Sequence, residues 1–187
     1  AGIAHIDHRL RQIDFSDQAV APIAPSLGMS LVELEQQQAI FLIGANPRHD
    51  QPMLNHRIRK ASLAGAKVLV LNPRELAFNY DLVQIVAAPL AMVDELAVLV
   101  KSALEACNQE APSAIAELLA NLQVTERAQA QWEWLKAEKA LILLGQMAIQ
   151  HPAFSSLRAL ATVLAQITGA KLGYLPEANS IAAHLTG

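Results

Sequence analysis

Cysteine is nearly absent: Cys107 is the only one in 187 residues. One thiol excludes an internal disulfide and a cluster held wholly by cysteine within these residues, and it favours a reduced, intracellular setting. Aromatic residues make up 4% of the chain and charged residues 17%. A formal net charge of −3 argues against general nucleic-acid binding. No apolar run reaches the roughly 18 residues that a membrane helix needs. A dinucleotide fingerprint of spaced glycines is missing, because Gly44 is followed by Ala45 and Asn46 with no second or third glycine, and a phosphate-cradling P-loop is missing too. No nucleophile elbow surrounds any serine, and no two acidic residues converge from strand ends, so triad and paired-carboxylate hydrolysis lack their parts. The chain starts at Ala1 with no charged leader before an apolar core, so it reads as a piece of something longer.

What is present is aliphatic. Hydrophobic residues are 53% of the whole, which implies a face covered by something else. A chain of this length buries roughly 70% of its unfolded surface and needs no staple to fold. Residues 39–64 set the pattern. Ala39-Ile40-Phe41-Leu42-Ile43-Gly44 is an apolar run without alternation, the signature of a strand buried on both faces. Gly44-Ala45-Asn46-Pro47 stops it, since proline has no N–H for a ladder. Pro52 stands where a first helical turn starts, with Asp50 as the expected N-cap. Leu54, Ile58 and Ala61 then fall on one helical face, and Gly65 ends the helix. Lys67-Val68-Leu69-Val70-Leu71 is a second buried strand, so the unit is strand, helix, strand, the building block of parallel sheets.

The grammar continues. Leu82–Val86 is a third strand-length run, and residues 93–106 have helical spacing in Val93, Leu96, Ala97, Val100, Ala103 and Leu104. Helices are expected at 113–122 and at 125–136, the second capped by Thr125. Trp132 and Trp134 cannot share a helix face, so one packs inward and the other faces out or meets a partner. Ala140–Gly145 repeats the run-then-glycine form of the first strand. A helix over 155–168 stopped by Gly169 and a short strand over 171–175 complete the pattern. Ahead of the first strand, Ser30 with Glu33 caps a short helix over 31–37. Residues 1–25 and 176–187 carry little pattern, and His5 with His8 lacks further ligands for a metal. The expected fold is an α/β doubly wound, mostly parallel sheet with the first strand central, occupying residues 1–187.

Such a sheet places Gly44, Asn46, Arg48, His49, Asp50, Asn72, Arg74 and Gly145 along one carboxyl edge, with Arg57 and Arg59 one to two helical turns away. Helix amides with Arg48 and Arg74 suit a phosphate or pyrophosphate. The plainer reading takes precedence: Asn46 and Asn72 hydrogen-bond turn backbone, and the arginines face solvent or another polypeptide. His151, just before Pro152, reads as a loop-packing histidine.

Ile43-Gly44-Ala45-Asn46-Pro47, Pro52, Arg57-Ile58-Arg59-Lys60-Ala61, Gly65-Ala66-Lys67 and Asn72-Pro73-Arg74 resemble, in order and spacing, the central domain of molybdopterin oxidoreductases. Gly145, Leu160, Thr168-Gly169 and Asn179 fall in family order as well, so the resemblance covers nearly the whole chain. Within the family, Ile6-Asp7-His8-Arg9-Leu10-Arg11-Gln12 and Gly44-Ala45-Asn46-Pro47-Arg48 look most similar to the large iron–sulfur subunit of NADH:quinone oxidoreductase, respiratory complex I.

The resemblance implies Gly44, Asn46, Asn72 and Arg74 as the cofactor-binding positions. Three departures oppose that role. Active members carry aspartate where this chain has Asn72, usually threonine where it has Leu76, and a P-G-T-D-type loop where it reads Pro89-Leu90-Ala91-Met92. The expectation is therefore a domain with no catalytic residue, no metal site and no cofactor of its own. Iron–sulfur clusters would belong to the parent subunit outside these residues. Its partners would be the rest of that subunit and other peripheral-arm subunits, at the cytoplasmic face of the inner membrane without insertion into it. The other readings are a central fragment of an active molybdopterin guanine dinucleotide enzyme such as a formate dehydrogenase, and a free-standing nucleotide-binding module. Asn72 and Leu76, taken as surface-turn positions, are expected to accept aspartate and threonine within about 1 kcal/mol.

Overall fold

Apolar runs of four to six residues, each followed by a turn former, pair into one five-stranded parallel sheet. The computed structural model describes residues 13–20, 25–177 and 180–186. In chain order these form α1 (Leu31–Leu34), β1 (Ala39–Ile43), α2 (Pro47–Asp50), α3 (Pro52–Leu63), β2 (Lys67–Asn72), β3 (Val83–Val86) and α4 (Ala91–Ala106). They continue with α5 (Ser113–Leu119), α6 (Glu126–Trp134), β4 (Ala140–Leu144), α7 (Gln146–Ile149), α8 (Phe154–Thr168), β5 (Lys171–Tyr174) and α9 (Ser180–Thr186). The strand order is β3-β2-β1-β4-β5. β1 is central, as its unbroken apolar run implies, and pairs with β2 from Ala39↔Lys67 and with β4 from Ala39↔Ala140. The chain builds outward through β2 and β3, then reverses across β1 to lay down β4 and β5. The carboxyl ends of β1 and β4 are thus the switch point of the sheet, where open α/β folds hold ligands.

Both faces of the sheet are covered. Phe41, Ile43, Leu69, Leu71, Ile142 and Leu144 point to the face packed by α4, α6 and α8, which contribute Leu96, Val100, Trp132, Leu157 and Leu164. Ile40, Leu42, Val68, Val70, Leu141 and Leu143 point to the other face, under Leu54 and Ile58 of α3 and Leu34 of α1. The division follows from the two-residue period of a strand. Among the described residues, no helix is long and apolar enough to cross a membrane.

Local chemistry sets most element ends. Ser30 Oγ accepts the Glu33 N–H while the Glu33 carboxylate accepts the Ser30 N–H, a complete capping box. Ser30→Ala should cost about 1 kcal/mol of unfolding free energy in a urea titration. Thr125 Oγ1 caps α6 through the Ala128 N–H, and Gly169 ends α8 in the left-handed region at φ 74°.

The structure also corrects the expected boundaries. Asp50 does not cap α3: Asn46-Pro47 starts a separate four-residue helix that ends at Asp50, and Gln51 takes the cap position without a side-chain bond. The helix after Ser30 stops at Leu34, and those expected over 113–122 and 125–136 stop at Leu119 and Trp134. Two short helices, α7 and α9, fall where no helical period was legible. Trp132 is buried, as one tryptophan had to be. Trp134 is half-buried beside the Lys67 ammonium, so the expected exposed tryptophan is corrected. His5, His8 and the run Ile6–Gln12 lie outside the described residues.

Residues 13–20, which carry no sequence pattern, are tied to the start of α8. The Asp14 carboxylate accepts the Ser155 N–H at 2.8 Å and the Ser155 hydroxyl, and Arg158 pairs with Asp17. Burial pushes the Asp14 carboxyl up, but hydrogen bonds from Ser155 and Ser16 outweigh it and hold the group well below the usual carboxylate range. A depressed folded pKa contributes stability above the unfolded value of about 3.9 and loses it as the pH falls toward the folded value. Asp14→Asn should therefore be less stable than the parent at pH 6, with a deficit that shrinks as the pH drops below about 4. Urea unfolding across that range measures it.

Candidate functional site

The carboxyl edge is built from five strand ends, and its polar groups are largely taken up by one another. At the switch point Gly44 sits at φ 58°, and a Cβ there would stand 2.3 Å from Ala148 N. A Cβ on Gly145 would stand 2.4 Å from the Ala45 Cβ. The loops after β1 and β4 therefore touch backbone to backbone. Gly44 O accepts the Met147 N–H at 2.9 Å, and Gly145 N–H donates to Ile43 O at 2.8 Å. Glycine is required at both positions by this close approach, and at Gly44 by its left-handed backbone too.

Asn72 is the second fastening. It ends β2 on the α3 face, in phase with Val68 and Val70, and only 1% of it is exposed. Its Oδ1 accepts the Ala45 N–H and its Nδ2 donates to Ala45 O, both at 3.0 Å. The carboxamide thus stands in for a peptide group across the first two strand ends. The expectation of an exposed turn residue at 72 is corrected: the side chain is a buried bridge. Leu76 is half-buried, and its backbone is bracketed in the same way by Gln84, which accepts its N–H at 3.0 Å and donates to its carbonyl at 2.9 Å.

The loop after β3, Ala87–Leu90, is held by His151. Its Nε2 lies 2.7 Å from Pro89 O, while Nδ1 accepts the Ala153 N–H at 3.0 Å. That pair of bonds matches the tautomer that carries its hydrogen on Nε2. The side chain is buried, as a loop-packing histidine should be. Beyond it Leu90 projects outward, 73% exposed, at the position of the family's P-G-T-D-type loop.

Most of the edge cations have protein partners. Arg48 donates to Ala77 O at 2.9 Å, Arg59 to Asn79 O at 3.3 Å, and Arg57 pairs with Glu35. Arg57 and Arg59 therefore serve packing around α3 and do not join an anion site. The segment between β2 and β3 is further pinned by Tyr80, whose hydroxyl donates to Asn55 Oδ1 at 3.1 Å; burial raises the Tyr80 pKa. Of the four expected ligand positions, Gly44 packs against Ala148 and Asn72 is bonded at both ends to Ala45. Asn46 is half-buried at the start of α2, where its backbone carbonyl accepts the His49 and Asp50 N–H groups. Arg74 is exposed and has no hydrogen bond or ion pair among the described residues. Two buried polar atoms of these loops and helices lack a hydrogen-bond partner among the described residues: Gln146 Oε1, at the start of α7, and Arg57 Nε.

The fold and the edge define a parallel α/β domain in which the loops after β1 and β4 meet at the switch point of the sheet. The family model for molybdopterin oxidoreductases matches residues 11–184, and the chain belongs to that family. Among solved structures, it is similar to a chain of the formyltransferase/hydrolase complex FhcABCD from Methylorubrum extorquens, determined in complex with methylofuran. The identity is 18% and the TM-score 0.45, over 83% of this chain and 41% of that one. The chain thus spans about two fifths of the length of that protein.

Proposed function

We propose that this domain is a cofactor-free framework of the large iron–sulfur subunit of bacterial NADH:quinone oxidoreductase. In that role it supports electron transfer from NADH to quinone through clusters carried elsewhere in the parent polypeptide. The observation that carries the reading is Asn72. Both ends of its carboxamide are bound to Ala45, where active relatives hold a carboxylate for the pterin guanine dinucleotide. The backbone contact of Gly44 with Ala148 and of Gly145 with Ala45 brings the two strand-end loops together at the switch point, which supports the same reading. With the Asn72 carboxamide engaged at both ends by Ala45 and the two strand-end loops in backbone contact, the residues present do not fit the group, and no chemical step is assigned to it. The sequence likeness of Gly44-Ala45-Asn46-Pro47-Arg48 favours the complex I subunit over an active formate-dehydrogenase-type enzyme.

A titration with guanosine diphosphate, followed by amide chemical shifts, tests the reading. The expected result is no saturable shift at Gly44, Asn46 or Arg74. Low-micromolar binding abolished by Arg74→Ala would mean that a nucleotide site is retained and would transfer the assignment to the enzyme class.

A further inference from the structure

We propose that the groove between α4 and α6, on the side of the molecule away from the carboxyl edge, docks a basic polypeptide segment. The chain's charge is divided unevenly. Residues 91–139 hold eight carboxylates against four basic side chains, and the remainder holds nine against ten. All of the net negative charge therefore belongs to the α4–α6 region. Three of the four cations in that region are engaged: Lys101 donates to Leu122 O at 2.8 Å and Leu119 O at 3.2 Å, Arg127 pairs with Glu95, and Lys136 pairs with Glu133.

The groove itself holds about 630 Å³ and is lined by Glu105, Glu126 and Glu133 over a floor that includes Ala130 and Trp132. Glu105 and Glu126 are exposed, and their carboxylates have no ion-pair or hydrogen-bond partner among the described residues. A second observation is independent of the acids. Ser102 in the floor is 2% exposed, and its Oγ has no hydrogen-bond partner among the described residues. An orphaned buried hydroxyl needs a physical account, and a donor or acceptor lodged in the groove would supply one. Acidic walls over the exposed methyl groups of Ala106 and Ala130 select a side chain with a long aliphatic stem and a cationic tip, which lays its stem on the alanines and leaves its charge at the rim.

The probe is a fluorescein-labelled alanine-rich helical peptide with arginines at positions i and i+4, followed by anisotropy against the purified protein at low and at physiological salt. The expected result is saturable binding that weakens with salt and falls at least about tenfold, the equivalent of one charge contact, in Glu105→Gln/Glu126→Gln. Glu110→Gln/Glu117→Gln removes the same charge outside the groove and should leave binding within about twofold. Circular dichroism verifies that both pairs fold. Equal losses in the two pairs would reduce the effect to bulk charge and overturn the proposal, as would absence of saturable binding. A protein dimer in sedimentation that disappears with Glu105→Gln/Glu126→Gln would assign the groove to a second copy and overturn it too.

Discussion

Asn72→Asp should destabilise the domain by about 3 kcal/mol at pH 7, although the exchange is isosteric and restores the family's usual residue. The new carboxylate still accepts the Ala45 N–H but sets a second oxygen against the Ala45 carbonyl, at a site that is 1% exposed. An unsatisfied buried acceptor costs about 1–3 kcal/mol, and the buried charge adds to it. Burial and the facing carbonyl would raise the folded pKa of this aspartate above the unfolded value of about 3.9. The protonated form can donate to Ala45 O, so the deficit is smallest below that value and grows as the pH rises through the folded pKa. Asn72→Leu removes both bonds and should cost about 2–4 kcal/mol without that pH dependence. Denaturant unfolding of the three proteins at pH 4 and pH 7 separates these outcomes. Equal stability of Asn72→Asp and the parent at pH 7 would show that the amide bridge is not formed.

Gly44→Ala should cost about 3–4 kcal/mol, and Gly44→Val should prevent accumulation of folded protein. Two effects combine. A left-handed backbone costs an L-residue about 1–2 kcal/mol, and overpacking adds about 1–3 kcal/mol. The added Cβ meets the Ala148 backbone N at 2.3 Å and its Cα at 2.8 Å, atoms that cannot swing aside. Gly65 is the control. It too has a positive φ, 100°, yet a Cβ there meets nothing within 4 Å. Gly65→Ala should therefore carry only the conformational cost, about 1–2 kcal/mol. Thermal melts of the set distinguish a tight loop contact at Gly44 from mere turn strain, which would make Gly44→Ala and Gly65→Ala alike.

The strand runs were legible because parallel strands buried on both faces leave an uninterrupted aliphatic signal, seen at Ala39–Ile43 and Ala140–Leu144. Cap chemistry was equally readable at Ser30 and Thr125. The four-residue α7 was not, since one turn has no period to detect, and Asp50 was misassigned because a second short helix intervenes between Pro47 and Pro52. Asn72 is the instructive miss. Its place before a proline reads as a turn, but counting by two from Val68 and Val70 puts it on the buried α3 face, which is a signal the sequence holds. The partner of that side chain, 27 residues away at Ala45, follows only from the sheet register. His151 with Pro89, 62 residues apart, belongs to the same class: packing histidines can be guessed, their partners cannot. Leu76→Thr is still expected to stay within about 1 kcal/mol, because its backbone and not its side chain is held by Gln84.

The most direct test is the molybdenum and pterin content of the full parent polypeptide purified under reducing, anaerobic conditions, with metal measured by mass spectrometry and pterin by fluorescence after acid oxidation. A carboxyl edge locked by Gly44, Asn72 and Gly145 predicts that both are found only in trace amounts beside intact iron–sulfur clusters. One pterin and one molybdenum per polypeptide, lost together on Arg74→Ala, would contradict it.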